Sequence, residues 1–297
     1  MILNASGCLD ALTAPEVARS LDAFVTKTVT PLPREGNAPV RIAETDAGLL
    51  NSIGLANPGI DAFLERVLPR LLELGPPVWV SVGGFAADEY AGLCARLDRT
   101  GAAVLELNLS CPNVAAPEDE ATAIVAAART VTDKPLYAKL SPALPDLPAV
   151  ALAAAEAGAD GLSLVNTIRG LALDAETLAP RLATATGGLS GPALRPIALA
   201  AVHACYGATG LPIVGMGGVE TGRHALELIA AGASAVALGT VLFADPAAPA
   251  RVRGELADEA GRLGFARPED ARGAAHRAVA SPADAEREEP ERVGLKV

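Results

Sequence analysis

Short apolar runs bounded by turn residues recur along this chain, and Ala-rich stretches with helical spacing separate them. The runs at 2–5, 23–30, 78–83, 103–110, 136–141, 161–167, 212–217 and 235–239 read as strands. Many are continuously apolar rather than alternating, the pattern of strands covered on both faces. The stretches 16–22, 60–74, 88–100, 118–132, 147–157, 194–206 and 221–231 read as helices, and another follows near 247–263. Several helices end in glycine just before the next strand, as in Ala157-Gly158-Ala159 and Ala231-Gly232-Ala233, where glycine supplies a left-handed C-cap. Eight strand–helix units in 297 residues predict an α/β fold, a closed (β/α)8 TIM barrel over residues 1–265. A doubly wound open sheet is the rival, but it opens on a glycine-rich fingerprint that Asn4-Ala5-Ser6-Gly7 does not supply. Two excursions interrupt the spacing. Residues 31–58, after the second strand, predict a surface hairpin or loop, and residues 169–192, after the sixth, a second inserted loop. Residues 266–297 read as a C-terminal extension, charged and Pro-containing from Ser281 and expected to be partly disordered.

Composition narrows the function. Hydrophobic residues make up 51% of the chain, enough for a large core, while aromatics are only 3%, so small side chains must bring the helices close. A net charge of −11 argues against a nucleic-acid or anionic-membrane surface. No run of about 18 apolar residues is free of charges and turn formers, so no membrane-spanning helix is expected. The first residues carry no basic region ahead of an apolar one, so no signal peptide is expected. Cys8, Cys94, Cys111 and Cys205 form no CxxC pair and do not cluster with His203, His224 or His276. Neither a disulfide framework nor a metal site is expected, and a reduced, cytoplasmic compartment fits.

In such a barrel the chemistry collects at the C-terminal ends of the strands. The run Asn108-Leu109-Ser110-Cys111-Pro112-Asn113 follows the fourth predicted strand. It sets a thiol between two amides able to read a flat polar ring. Taken alone, it fits equally well a strand end with a buried cysteine and two turn asparagines. Lys27 and Lys139 end two other strands, in apolar surroundings where an unpaired lysine is rare. Gly217-Gly218 and Gly239-Thr240 end the last two, where barrels often bind phosphate through glycine backbone N–H groups.

These motifs, in this order, resemble the dihydroorotate dehydrogenases, from Asn4 to about Phe265. The carrying segments are Asn4-Ala5-Ser6-Gly7, Lys27-Thr28-Val29-Thr30, residues 51–59 (NSIGLANPG), the Cys111 hexapeptide, residues 137–142 (YAKLSP), Asn166-Thr167, residues 187–191 (GGLSG) and residues 215–219 (GMGGV). Cysteine in the hexapeptide is similar to the class 1 enzymes, and Asn57-Pro58-Gly59 with Lys139-Leu140-Ser141-Pro142 to class 1B. The resemblance implies FMN as cofactor and oxidation of dihydroorotate to orotate in pyrimidine biosynthesis. It implies Cys111 as the base that removes the C5 proton, with Lys27 and Lys139 also catalytic. Lys27, Asn51, Ile53, Gly54, Leu55, Asn108, Asn113, Asn166 and Thr167 would bind substrate. Ala5, Ser6, Lys27, Thr28, Asn108, Lys139, Gly191, Gly217, Gly218, Gly239 and Thr240 would bind FMN. It further implies a homodimer and an electron-transfer subunit carrying FAD and an iron–sulfur cluster. The alternatives are an FMN enzyme acting on dihydrouracil or dihydrothymine, and a non-catalytic barrel subunit.

The chain departs from the family at three places. It begins almost at the first barrel strand, Cys8-Leu9-Asp10 replaces a Phe-Gly-rich stretch, and the loop after Asn113 is shorter. The three histidines, Cys94, Cys205 and Trp79 read as packing residues.

Overall fold

Strands first: the computed structural model describes residues 1–109 and 117–277. Within them lie β1 (Ile2–Asn4), β2 (Phe24–Val25), β3 (Ile42–Thr45), β4 (Gly48–Asn51), β5 (Val78–Val82), β6 (Val104–Asn108), β7 (Leu136–Leu140), β8 (Gly161–Leu164), β9 (Ile168–Leu171), β10 (Thr186–Ser190), β11 (Ile213–Met216) and β12 (Ala235–Leu238). Eight of them form one parallel sheet in the order β1-β12-β11-β8-β7-β6-β5-β2. A parallel bridge between Leu3 and Ala23 joins its two ends, so the sheet closes on itself. Helices lie between successive strands, as a (β/α)8 barrel requires.

Alternation along each strand sorts the core into two layers. Val78, Val80 and Val82, Leu105 and Leu107, Leu136 and Leu140, and Leu162 and Leu164 face the helices. Leu3, Val25, Trp79, Val104, Val214, Met216 and Ala237 fill the inside of the barrel, with Tyr137 packed against them. Towards the C-terminal mouth the interior turns polar, with Ser81, Glu106, Lys139 and Ser163 all buried.

The barrel's seam is held by a side chain. β1 and β2 share little ladder, and Asn4, with no exposed surface, spans the gap. Its Nδ2 donates to Val25 O at 2.7 Å and its Oδ1 accepts from Val25 N at 2.8 Å, replacing a backbone pair.

The two excursions are strand-bearing and meet. β3-β4-β10-β9 forms an antiparallel sheet over the barrel mouth, hereafter the roof. The hairpin within 31–58 agrees with the sequence, whereas the loop expected over 169–192 folds as its partner hairpin. Ala43, Leu50 and Leu182 are the roof's own small core. Strand ends differ from expectation chiefly at 23–30, where pairing lapses after Val25. The helix expected over 60–74 runs from Gly59 to Leu72 through a π turn at Phe63–Val67, ahead of Pro69, which offers no N–H to a preceding carbonyl. Of the extension, Pro268–Ala271 and Ala274–His276 are short 3-10 turns packed on the helix Gly222–Ala231.

Candidate active site

A bulge aims the first lysine. Thr26 N donates to Trp79 O and Val29 N to Ser81 O, so residues 27 and 28 fill a space that one residue would fill in a regular ladder. Thr26 Oγ1 replaces the missing acceptor by taking the Ser81 N–H at 3.1 Å. An extra residue of this kind redirects side chains. Lys27 turns to the barrel mouth, and Thr28 shares a 3.0 Å hydrogen bond with Ser81 Oγ. Lys139, near the end of β7, is buried and donates from Nζ to Ser6 Oγ at 2.8 Å. Burial holds the Lys27 ammonium below its ordinary pKa, with Cys8 opposing and Lys139 adding to the shift. Burial likewise pushes the Cys8 thiol up, against the pull of Lys139 and Lys27.

Around these cations stand amides. Asn108 Nδ2 donates to Thr28 Oγ1 at 3.3 Å, and Asn166 Nδ2 donates to Asn108 Oδ1 at 3.3 Å. Tyr90 OH donates to Asn108 O at 2.7 Å. Asn166 Oδ1 accepts from Thr167 N at 2.8 Å, which turns the chain from β8 into the roof. On the roof side, Asn51 Nδ2 donates to Gly188 O at 3.2 Å. A Cβ on Gly188 would lie 2.1 Å from Thr167 Oγ1, so only glycine lets β10 come this close to the barrel. The turn 52–55 has positive φ at Gly54 and Leu55. Asn37 holds it by donating to Ser52 O and Oγ, and Asn57 by donating to Leu55 O at 2.7 Å.

Across the mouth, Gly217 and Gly218 have φ of 126° and 69°, open to residues without a side chain. Gly239 differs. A Cβ there would meet only Cys8 Sγ at 3.8 Å and Ala5 Cβ at 3.9 Å, so its backbone borders open space. Barrel and roof together enclose a cavity of about 650 Å³. Ala5, Ser6, Lys27, Thr28, Asn51, Ile53, Gly54, Leu55, Asn108, Lys139, Asn166, Thr167, Gly191, Gly217, Gly218, Gly239 and Thr240 all line it. Cys111 and Asn113 lie outside the described residues.

Other residues of this region are not among the sequence candidates. Glu106 is one, although a single charge in an apolar strand was a legible signal. Tyr90 and Asn37 carry no local signal, because their partners are distant in sequence, whereas Asn57 sits within the 51–59 motif but its hold on the turn is set by the fold. The residues read as packing do not line the cavity: His203 stacks on His276 at 3.8 Å, and Trp79 packs on Tyr137 at 4.8 Å inside the barrel. His224 Nδ1 accepts from Glu220 N. Cys94 and Cys205 are buried, and their thiols are pushed up to about 12. Among the described residues no cluster of His, Cys, Asp or Glu could hold a metal, and no helix is long and apolar enough to cross a membrane.

The family model for dihydroorotate dehydrogenase matches residues 1–259. The chain belongs to the dihydroorotate dehydrogenase family. It is 49% identical over 265 residues to a protein of Desulforudis audaxviator named dihydroorotate dehydrogenase B (NAD(+)), catalytic subunit, covering 86% of each chain. A protein of the same name from Geobacter sp. is 45% identical, covering 80% of each. Among solved structures, the ligand-free DHODH of Eimeria tenella superposes with a TM-score of 0.79 at 27% identity, covering 93% of this chain and 89% of that one. The chain is thus an oxidoreductase of a flavin-dependent family. The cavity suits a flavin cofactor in three respects. Its volume is that of a cofactor site, a buried cation stands on its floor, and Gly239 leaves room for close backbone approach at the end of the strand next to that of the two left-handed glycines.

Proposed function

We propose that this chain oxidises dihydroorotate to orotate at bound FMN, in de novo pyrimidine biosynthesis. The observation that carries this reading is the convergence of two lysines, three asparagines and the glycines of the last two barrel strands on one cavity. FMN, when bound, supplies the acceptor for the hydride leaving substrate C6. Ala5, Ser6, Thr28 and Gly191 would line it, and Gly217, Gly218, Gly239 and Thr240 would hold its phosphate. The fixed charge of Lys139 offsets the negative charge that grows there on reduction. Cys111 Sγ takes the C5 proton, and the two losses leave the C5–C6 double bond of orotate. A thiol serving as base at neutral pH needs positive charge nearby to lower the cost of its thiolate form. Asn51, Asn108, Asn113, Asn166 and Thr167 bind the ring amides and the carboxylate, Lys27 stands with them beside the cofactor, and residues 53–55 exclude water.

The relatives' name, catalytic subunit of an NAD(+) enzyme, supports a partner that carries the electrons onward. We place FAD, an iron–sulfur cluster and NAD reduction on that second polypeptide, and a homodimer of this chain in the cytoplasm. Cys8, Cys94 and Cys205 are free, as in a reduced compartment.

Anaerobic mixing tests the reading. The FMN-loaded protein should bleach with dihydroorotate. Bleaching with dihydrouracil alone would move the substrate to another dihydropyrimidine, and a protein unable to take up FMN would end the proposal. The isolated chain should pass electrons to dyes or oxygen and negligibly to NAD.

A further inference from the structure

Beneath the cavity floor sits a carboxylate that the proposed reaction does not use. Glu106 is the charged residue of β6, and its side chain is 1% exposed inside the barrel. Its Oε1 has no hydrogen-bond partner among the described residues and lies 3.8 Å from Lys139 Nζ. Lys139 Nζ in turn donates to Ser6 Oγ, and both Lys139 and Ser6 line the cavity, whereas Glu106 does not. Ser163 aligns with Lys139 across β7 and β8, is fully buried, and its Oγ also lacks a partner among the described residues. Stability alone gives such a pair little reason to exist, because well-packed apolar side chains often replace buried ion pairs without loss. One end of this pair, however, stands on the floor of the cavity.

We infer that Glu106 is a positioning residue for the redox step, acting through Lys139. Its carboxylate holds the ammonium at the cavity floor and offsets part of its field. It thereby sets how strongly reduced FMN is favoured over oxidised FMN. The inference rests on the flavin placement proposed above and adds to it the residue that tunes it.

The test is the two-electron reduction potential of bound FMN, measured in the wild type, Glu106→Gln, Lys139→Met and the double variant. Glu106→Gln should raise the potential, with reduced FMN held about tenfold more tightly relative to oxidised FMN, about 30 mV for a two-electron couple. In the Lys139→Met background the same change should leave the potential in place. With the ammonium gone, Glu106 has no field left to offset at the cavity floor. An unchanged or lowered potential in Glu106→Gln, or an equal rise without Lys139, overturns the inference. Should Glu106→Gln fail to fold, Lys139→Met and the double variant still decide. Equal potentials support the inference, and a higher potential in the double variant defeats it. A potential indifferent to Lys139→Met would strike the flavin placement itself, and the inference with it. Thermal unfolding of the FMN-free variants reads the purely structural share of the pair separately.

Discussion

Barrel and roof meet around one cavity but are held together differently. Almost every residue of β5, β8, β11 and β12 is buried, between the helices outside and the packed interior. Strands of the roof are covered on one side at most, and the exposed Ile42 and Leu171 show how thin its cover is. Its apolar cluster is small, whereas the barrel's outer core runs through every helix layer. The two differ in task as well as in strength. The barrel supplies the lysines, Asn108 and the glycine ends, and the roof supplies Asn51 and the turn 52–55. Deep burial fixes the charge of Lys139 on the cavity floor. A lightly held sheet can shift to admit a substrate, since low-stability elements are where such motions are drawn from.

Four measurements would break or sharpen this division. The largest effect is expected at Cys111, beyond the end of β6. Cys111→Ser should keep FMN yet slow its reduction by dihydroorotate by ~10² to 10⁴-fold, the usual contribution of a general base. Stopped-flow reduction at the wild-type rate would take the base out of this segment. Next comes Leu162→Ala, a fully buried side chain between strand and helix. It should cost about 2–5 kcal/mol in denaturant unfolding. If only the roof melted in response, the barrel would not be the unit that holds the fold. Asn51→Ala removes a roof amide and should raise KM for dihydroorotate by about ten- to a hundredfold, with the flavin potential and melting temperature kept. A matching loss of stability would mean that the roof and barrel unfold as one. The smallest effect concerns pH. The native thiols of Cys94 and Cys205 are raised by burial to about 12. The native state therefore holds these protons longer than the unfolded chain. Their stabilising contribution is complete below the unfolded thiol's pKa and is lost as pH climbs towards 12. At pH 9 the loss should stay under about 1 kcal/mol per thiol. Both cysteines belong to barrel helices, so a thiol reagent should reach them only when the barrel opens; labelling during roof motion alone would contradict that.

How much of this was legible in the sequence follows the same line. The barrel strands announced themselves because burial on both faces leaves short apolar runs such as Val78–Val82. Lys27 and Lys139 stood out as charges within such runs, and the glycine pairs by composition. The roof was half visible. A hairpin could be read over 31–58, but β4 finds β10 about 137 residues away, and no local pattern encodes that pairing. The bulge at Lys27 was hidden for a related reason, since Thr26, Ser81 and Val29 create it jointly across two strands. Glu106 was available to sequence reasoning as a lone charge in Val104–Asn108. What the sequence withheld was its partner, Lys139, on the neighbouring strand.

The pairing of the first barrel strand with the last has a consequence for biosynthesis. β1 pairs with β12, so its ladder partner leaves the ribosome some 230 residues later. At about 5–20 residues per second, the first strand waits roughly ten seconds or more with an unpaired edge. An unpaired edge is a template for wrong pairing, and the brevity of Ile2–Asn4 limits what it can template. Gly239 and Thr240 follow β12 directly, so the last strand to be made also completes the cavity wall. A nascent chain cannot hold the cavity's ligand until its own ring has shut, and uptake of that ligand becomes a signal that synthesis of the barrel is complete.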